Sequence, residues 1–91
     1  MTTTSPRFSL GQLVSTPGAL ETFTAAELGQ ALDRHRSGDW GECCPEDAAE
    51  NELSIKEGFR LLSVYTFREK KLWIITEHDR SLTTCLLPSE Y

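Results

Sequence analysis

The chain has 91 residues, 38% hydrophobic and 25% charged, with 9 Lys and Arg against 14 Asp and Glu for a formal charge of −5. That length fits one domain and no second core, the apolar fraction is too high for a disordered chain, and the acid excess argues against gripping phosphate backbones by bulk charge. No apolar run nears the roughly 20 residues of a membrane span, and the opening residues show no basic stretch followed by an apolar one, so no secretory signal is read and a cytoplasmic location is expected.

Residues 1–7 are expected to be a disordered N-terminus ahead of a single domain at 8–91. Residues 8–14 read as a short strand, weakened by Gly11. Thr16 followed by Pro17 has the form of an N-cap and first helical position, which predicts one helical turn over 17–22. Thr24 and Glu27 form a capping box, with Phe23 and Leu28 placed as its hydrophobic staple. The helix it starts should run over 25–36, with Leu28, Ala31, Leu32 and His35 on one stripe. Arg34 and Arg36 suit its carbonyl end, and Ser37 with Gly38 stops it.

Residues 39–44 form a loop. Pro45 opens a second long helix over 45–57, with Glu46 and Asp47 in its first turn and Gly58 as its terminator. Its apolar face is thin: Ala48, Ala49, Leu53 and Ile55, with Ala49 and Leu53 expected to carry the packing. From residue 59 the pattern changes to strands at 61–67, 72–77 and 81–87, joined by polar turns at 68–71 and 78–80 and stopped by Pro88. Turns this short predict an antiparallel meander. Strict alternation groups Leu62, Val64, Thr66, Leu72, Ile74, Leu82, Thr84 and Leu86 on one face. Leu61, Tyr65, Phe67, Trp73, Ile75, Cys85 and Leu87 fall on the other. Neither face is polar, so the helices should cover one, and the N-terminal segment or another chain part of the other. The expectation is an α+β domain, two helices packed on a three- or four-stranded antiparallel sheet in the order β-α-α-β-β-β.

That order is similar to the one found in ribosome-dependent ribonuclease toxins of the RelE and ParE type, a likeness of element order only. A second likeness rests on residues. The G-D-W-G loop at 38–41 and the W-I-I-T-E-x-D-R-S hairpin at 73–81, with residues 10–20 and 86–91, resemble a family of short bacterial proteins of plasmids, integrative elements and prophages. Some members carry a type I restriction-subunit label. The resemblance implies a mobile-element setting and no particular activity. The restriction label has no support in these residues: a glycine-rich cofactor loop and an Asn/Asp-Pro-Pro-Tyr/Phe motif are both missing.

Each group that could carry chemistry also has a simpler structural role. His35, Cys43, Cys44, His78 and Cys85 show neither a C-x-x-C nor an H-x₃-H spacing, so no metal and no cofactor are expected. Cys43 and Cys44, adjacent and hard to bridge to each other, precede a helix N-terminus that would favour a thiolate. Glu42, Glu46 and Asp47 oppose it. Cys85, inside a strand, reads as a small buried hydrophobe. Glu77, His78, Asp79 and Arg80 offer an acid–base pair and a guanidinium, which a toxin-like nuclease would want, but a tight turn favours the same residues. Arg60, Arg68, Lys70, Lys71 and Arg80 could make a local basic edge. Between 39 and 57, seven acids face one cation, Lys56, and such a face can imitate a phosphate array; the simpler reading is a solvated helix face. Trp40, between glycines, either folds back on the core or anchors a partner.

The sequence therefore reads as a non-enzymatic interaction protein, with a protein partner or a second copy expected. The candidate interaction residues are Asp39, Trp40, Glu46, Asp47, Glu50, Glu77, His78, Asp79 and Arg80. The alternative is a ribonuclease-toxin-like enzyme acting through the 77–80 hairpin.

Overall fold

The computed structural model describes residues 7–91; the expectation of an N-terminal disordered tail falls, for residues 1–6, outside the described residues. The elements are β1 (Gln12–Ser15), α1 (Pro17–Thr22), α2 (Ala25–Arg36), α3 (Pro45–Glu57), β2 (Leu61–Phe67), β3 (Lys70–Thr76) and β4 (Leu82–Leu86), closed by a 3₁₀ turn at Pro88–Glu90. The architecture is α+β, helices on a four-stranded sheet of order β1-β4-β3-β2. Two expectations are corrected. There are three helices rather than two, since the turn after Pro17 completes as α1. The sheet is mixed rather than antiparallel, because β1 pairs parallel with β4. Parallel neighbours need a long crossover, and the helices, β2 and β3 between β1 and β4 supply one.

Local chemistry sets the helix starts. The Thr16 hydroxyl accepts from the Ala19 amide at 3.2 Å, with Pro17 behind it. At α2 the capping box closes in both directions, Thr24 N–H to Glu27 at 2.9 Å and Glu27 N–H to the Thr24 hydroxyl at 3.1 Å. Gly58, at φ 78°, ends α3 in the left-handed conformation that glycine adopts without a Cβ penalty.

The β2–β3 turn is tighter than expected. Arg68 and Glu69 alone form it, at φ 52° and 68°, and Phe67 pairs directly with Lys70. Positive φ at both central residues marks a type I′ turn, whose twist matches the flanking strands. The register sets Tyr65 opposite Leu72 and Ser63 opposite Ile74. Leu72 and Ile74 therefore share a face with Leu61, Tyr65 and Cys85. The sequence grouping had set them with Leu62 and Val64, so the assignment of β3 is inverted, while β2 and β4 are phased as expected. Trp73 and Ile75 move to the outer face with Val64, Thr84 and Leu86.

The inner face carries the core. Ala19, Phe23, Leu28 and Ala31 from the helical layer pack on Tyr65, Leu72, Ile74 and Cys85. The outer face is partly covered by the C-terminal segment of the same chain: the Tyr91 ring stands edge-on to Trp73 at 5.5 Å. α3 does not pack through Ala49 and Leu53, which are exposed; it buries Asn51 and Ser54 instead. The reason lies at the free margin of β2. The Asn51 side chain donates to the Leu62 carbonyl at 2.6 Å and accepts from its amide at 3.1 Å. Two residues along the strand, Val64 N–H donates to the Trp40 carbonyl at 3.2 Å, and Glu42 N–H donates to the Val64 carbonyl at 2.7 Å. A polar helix face thus closes a sheet edge that would otherwise template another strand. Gly41, at φ 72°, is required there, because a Cβ would lie 2.0 Å from the Val64 carbonyl oxygen.

Candidate functional site

The 77–80 hairpin is built around its guanidinium. Arg80, at φ 61°, folds its side chain back under the turn. Nη1 donates to the carbonyls of Phe59, Glu77 and His78 at 2.6, 3.1 and 3.2 Å, and Nη2 donates to the Ser54 carbonyl at 2.7 Å. Ser54 lies in the last turn of α3, where its carbonyl also accepts from Gly58 N–H at 2.9 Å and where a cation is favoured by the helix dipole. Burial holds the Arg80 pKa below its ordinary value. Asp79 accepts from the Ser81 amide at 3.1 Å and from its hydroxyl at 2.6 Å, a self-contained turn. Glu77 pairs with Arg60 at 3.2 Å. The His78 side chain is exposed. Of the four, Arg80 alone ties the hairpin to α3, and its donors are directed at main-chain carbonyls.

In the 39–41 loop Trp40 turns inward, while Asp39 and Gly41 stay exposed. Asp39 takes a two-point contact from Arg34 at 2.7 and 3.2 Å and accepts from Gly41 N–H at 3.2 Å. The guanidinium keeps its carboxyl below the usual range. Trp40 folds back and is 7% exposed. Its indole N–H donates to Glu52 at 3.0 Å, and Arg7 grips the same carboxylate at 2.7 and 2.9 Å. Phe8 stacks on Trp40 at 6.1 Å and stands edge-on to His35 at 5.2 Å.

Behind Phe8 runs a polar thread with no counterpart in the sequence reading. His35 is fully buried, as are Ser63, Thr76 and Thr83. The thread's direction follows from its end. Thr83 Oγ1 donates to the Leu10 carbonyl at 2.7 Å, so it accepts from the Thr76 hydroxyl at 2.8 Å. Thr76 is then free only to accept, so His35 Nε2–H donates to it at 2.9 Å. Nδ1 must accept, and the Ser63 hydroxyl donates to it. The hydrogen-bond pattern thereby assigns the Nε2–H tautomer. Desolvation, and secondarily the charge of Arg80, push the His35 pKa down to about 3. His35 is a neutral core group that ties α2 to β2, β3 and the segment before β1. The α2 stripe located it, but its hydroxyl partners lie on two strands distant in sequence and carry no local signal.

The Cys43 thiol is half-buried and that of Cys85 buried, while Cys44 is exposed. Burial, then Asp47, raise the Cys43 pKa, and burial raises that of Cys85; a nucleophile needs the opposite shift. Among the described residues no cluster of three His, Cys, Asp or Glu side chains could hold a metal ion, and no helix is long and apolar enough to cross a membrane.

Apart from Glu52, the acids of α3 stand outside the ion pairs of the described residues. Glu46, Asp47 and Glu50 are exposed. Among the described residues the ion pairs are Arg7–Glu52, Arg34–Asp39, Arg36–Asp33, Arg60–Glu77, Arg68–Glu27 and Lys71–Glu42, and none uses Glu46, Asp47, Glu50 or Glu57. At spacings of four, three and four, Glu46, Glu50, Leu53 and Glu57 form one helical stripe, and Leu53 is 46% exposed. Of the basic edge expected in the C-terminal half, Arg60, Arg68 and Lys71 pair with acids and Arg80 with carbonyls, while Lys70 is exposed.

Fold and surface together define a small α+β protein with a histidine-centred polar thread and an acidic helix face. No family model, curated protein or solved structure matches the chain.

Proposed function

We propose that this protein works by binding another macromolecule through the outward face of α3. The observation that carries the reading is a contrast between acids. Those at 39, 42, 52 and 77 are paired with cations of the same chain, while Glu46, Asp47 and Glu50 are exposed and in no such pair among the described residues. Leu53, at the centre of the stripe, supplies an apolar contact amid the carboxylates. A partner with a basic surface and a shallow apolar recess fits that pattern, and carboxylates at helical spacing can occupy a surface built for phosphates. In the mobile-element setting that the sequence resemblance implies, the partner is a host DNA-binding protein.

The test is Glu46→Lys, Asp47→Lys and Glu50→Lys together, with the chain as bait in an extract of its native host. The triple variant should keep the wild-type circular dichroism and lose the partner captured by wild type. Capture by wild type should itself weaken steeply with added salt. Undiminished capture by the folded triple variant rejects the reading.

A further inference from the structure

The two margins of the sheet differ. β2 is closed by Asn51, Trp40 and Glu42, whereas β1 uses only alternate residues toward β4. Gln12 N–H donates to the Ser81 carbonyl and Thr16 N–H to the Cys85 carbonyl, both at 3.0 Å, and the parallel register runs from Gln12 opposite Leu82 to Ser15 opposite Cys85. Leu13 and Ser15 therefore direct their N–H and C=O groups away from the sheet. Leu13 is 52% exposed. Beside it, a cleft of about 350 Å³ is lined by Phe8, Ser9, Leu10, Gly11, Leu13 and Arg36.

We propose that β1 is a self-pairing edge, by which two copies of this chain join antiparallel into one continuous sheet. The four outward main-chain groups are disposed symmetrically about Val14. A two-fold axis through Val14 sets Leu13 opposite Ser15 of the partner subunit, and the same pairing recurs in reverse, so all four groups find partners. Charge leaves this margin open to a second copy. Gln12, Leu13, Val14 and Ser15 are uncharged on a chain of net charge −5, and the one charged group lining the cleft, Arg36, is balanced by Asp33, whereas pairing through α3 would set acid against acid. In this arrangement the partner's α1, which follows β1 directly and carries an exposed leucine, runs toward the cleft. This surface is separate from the α3 face, so a dimer leaves that face open.

Sedimentation of the wild-type chain from micromolar to millimolar concentration should show reversible conversion from the chain mass to twice it. Leu13→Pro removes an outward N–H without touching the β1–β4 ladder and should weaken dimerisation by roughly tenfold or more. Val14→Cys, with Cys43→Ser and Cys44→Ser, tests the register even where the proline variant does not fold. Val14 and its symmetry mate form a non-hydrogen-bonded pair with Cα atoms about 4.5 Å apart, within disulfide reach. Mild oxidation should give a covalent dimer linked at position 14, and Leu53→Cys in the same background should not. A wild-type monomer at millimolar concentration overturns the proposal, whether or not an extended segment of another protein is found on β1. So does a dimer that forms no position-14 disulfide.

Discussion

His35 shows how one side chain sets both the packing and the pH response of this fold. Its ring is wholly buried, and each nitrogen meets a hydroxyl. The neutral form fits; the imidazolium would be charged, desolvated and close to Arg80. The folded pKa, about 3, lies below the ordinary 6.5, so the unfolded chain binds the extra proton between those values. Stability on this account is complete above pH 6.5 and is lost as pH falls toward 3, with a slope approaching about 1.4 kcal/mol per pH unit. Glu27 acts lower. Hydrogen bonds from Arg68, then from Thr24, hold its carboxylate down to about 2 against an ordinary 4.5, so its contribution is present above 4.5 and lost toward 2. Urea unfolding at pH 7 and pH 5 isolates the histidine. Wild type should lose stability over that interval, and His35→Leu should lose clearly less. At pH 7 His35→Leu should itself cost roughly 2–4 kcal/mol, because the Ser63 and Thr76 hydroxyls lose a buried partner. Equal pH dependence in the two proteins would remove His35 from this role. The stripe of Leu28, Ala31 and Leu32 made the burial of His35 legible. Its partners, 28 and 41 positions away, were not, since nothing local distinguishes a strand serine that meets an imidazole from one that meets water.

At the scale of elements, legibility followed the range of the forces. α2 begins at its capping box, and α3 begins at Pro45 and ends at Gly58, because these signals act within four residues. The faces of the strands depended on one turn, and that turn carries neither glycine nor asparagine, the residues that announce a type I′ geometry. With Arg68 and Glu69 both at positive φ, the hairpin is held by the strands and by the Arg68 grip on Glu27 rather than by local preference. Glu69→Gly should therefore stabilise the protein by about 1 kcal/mol, relieving a left-handed non-glycine residue without removing a core contact. Thermal unfolding reads the result, and an unchanged midpoint would mean the strain is not there. The same limit explains α3. A helix whose working face is Asn51 and Ser54 has no apolar stripe to find, because its task is to complete the hydrogen bonding of a strand.

At the scale of the whole molecule, closure depends on the two ends of the described chain. Arg7 fixes one through Glu52. At the other, the Glu90 carboxylate accepts from the Thr16 hydroxyl, from Gly18 N–H at 3.1 Å and from Leu87 N–H at 2.9 Å. The 3₁₀ turn is thereby pinned to the start of α1, and Tyr91 is held over Trp73, with Arg60 donating to its hydroxyl at 3.2 Å. This is how the chain covers part of an outer sheet face that the sequence left to its N-terminal segment or to another chain. No local pattern reports it, since a glutamate near a chain end looks like any solvated acid. The Thr16 hydroxyl, followed by the Leu87 amide, holds the Glu90 carboxylate below its ordinary 4.5, so the clasp is intact above that value and weakens as acid protonates it. Glu90→Ala removes all three contacts at once. The tail should then lift, the emission of Trp73 should shift to the red, and the midpoint of thermal unfolding should fall, while Trp40, enclosed by Phe8 and Glu52 on the far side of the sheet, keeps its signal. Glu90→Gln, which keeps the shape and loses the charge, should fall between the two. A Trp73 environment unchanged in the alanine variant would show that the tail is seated by Tyr91 alone.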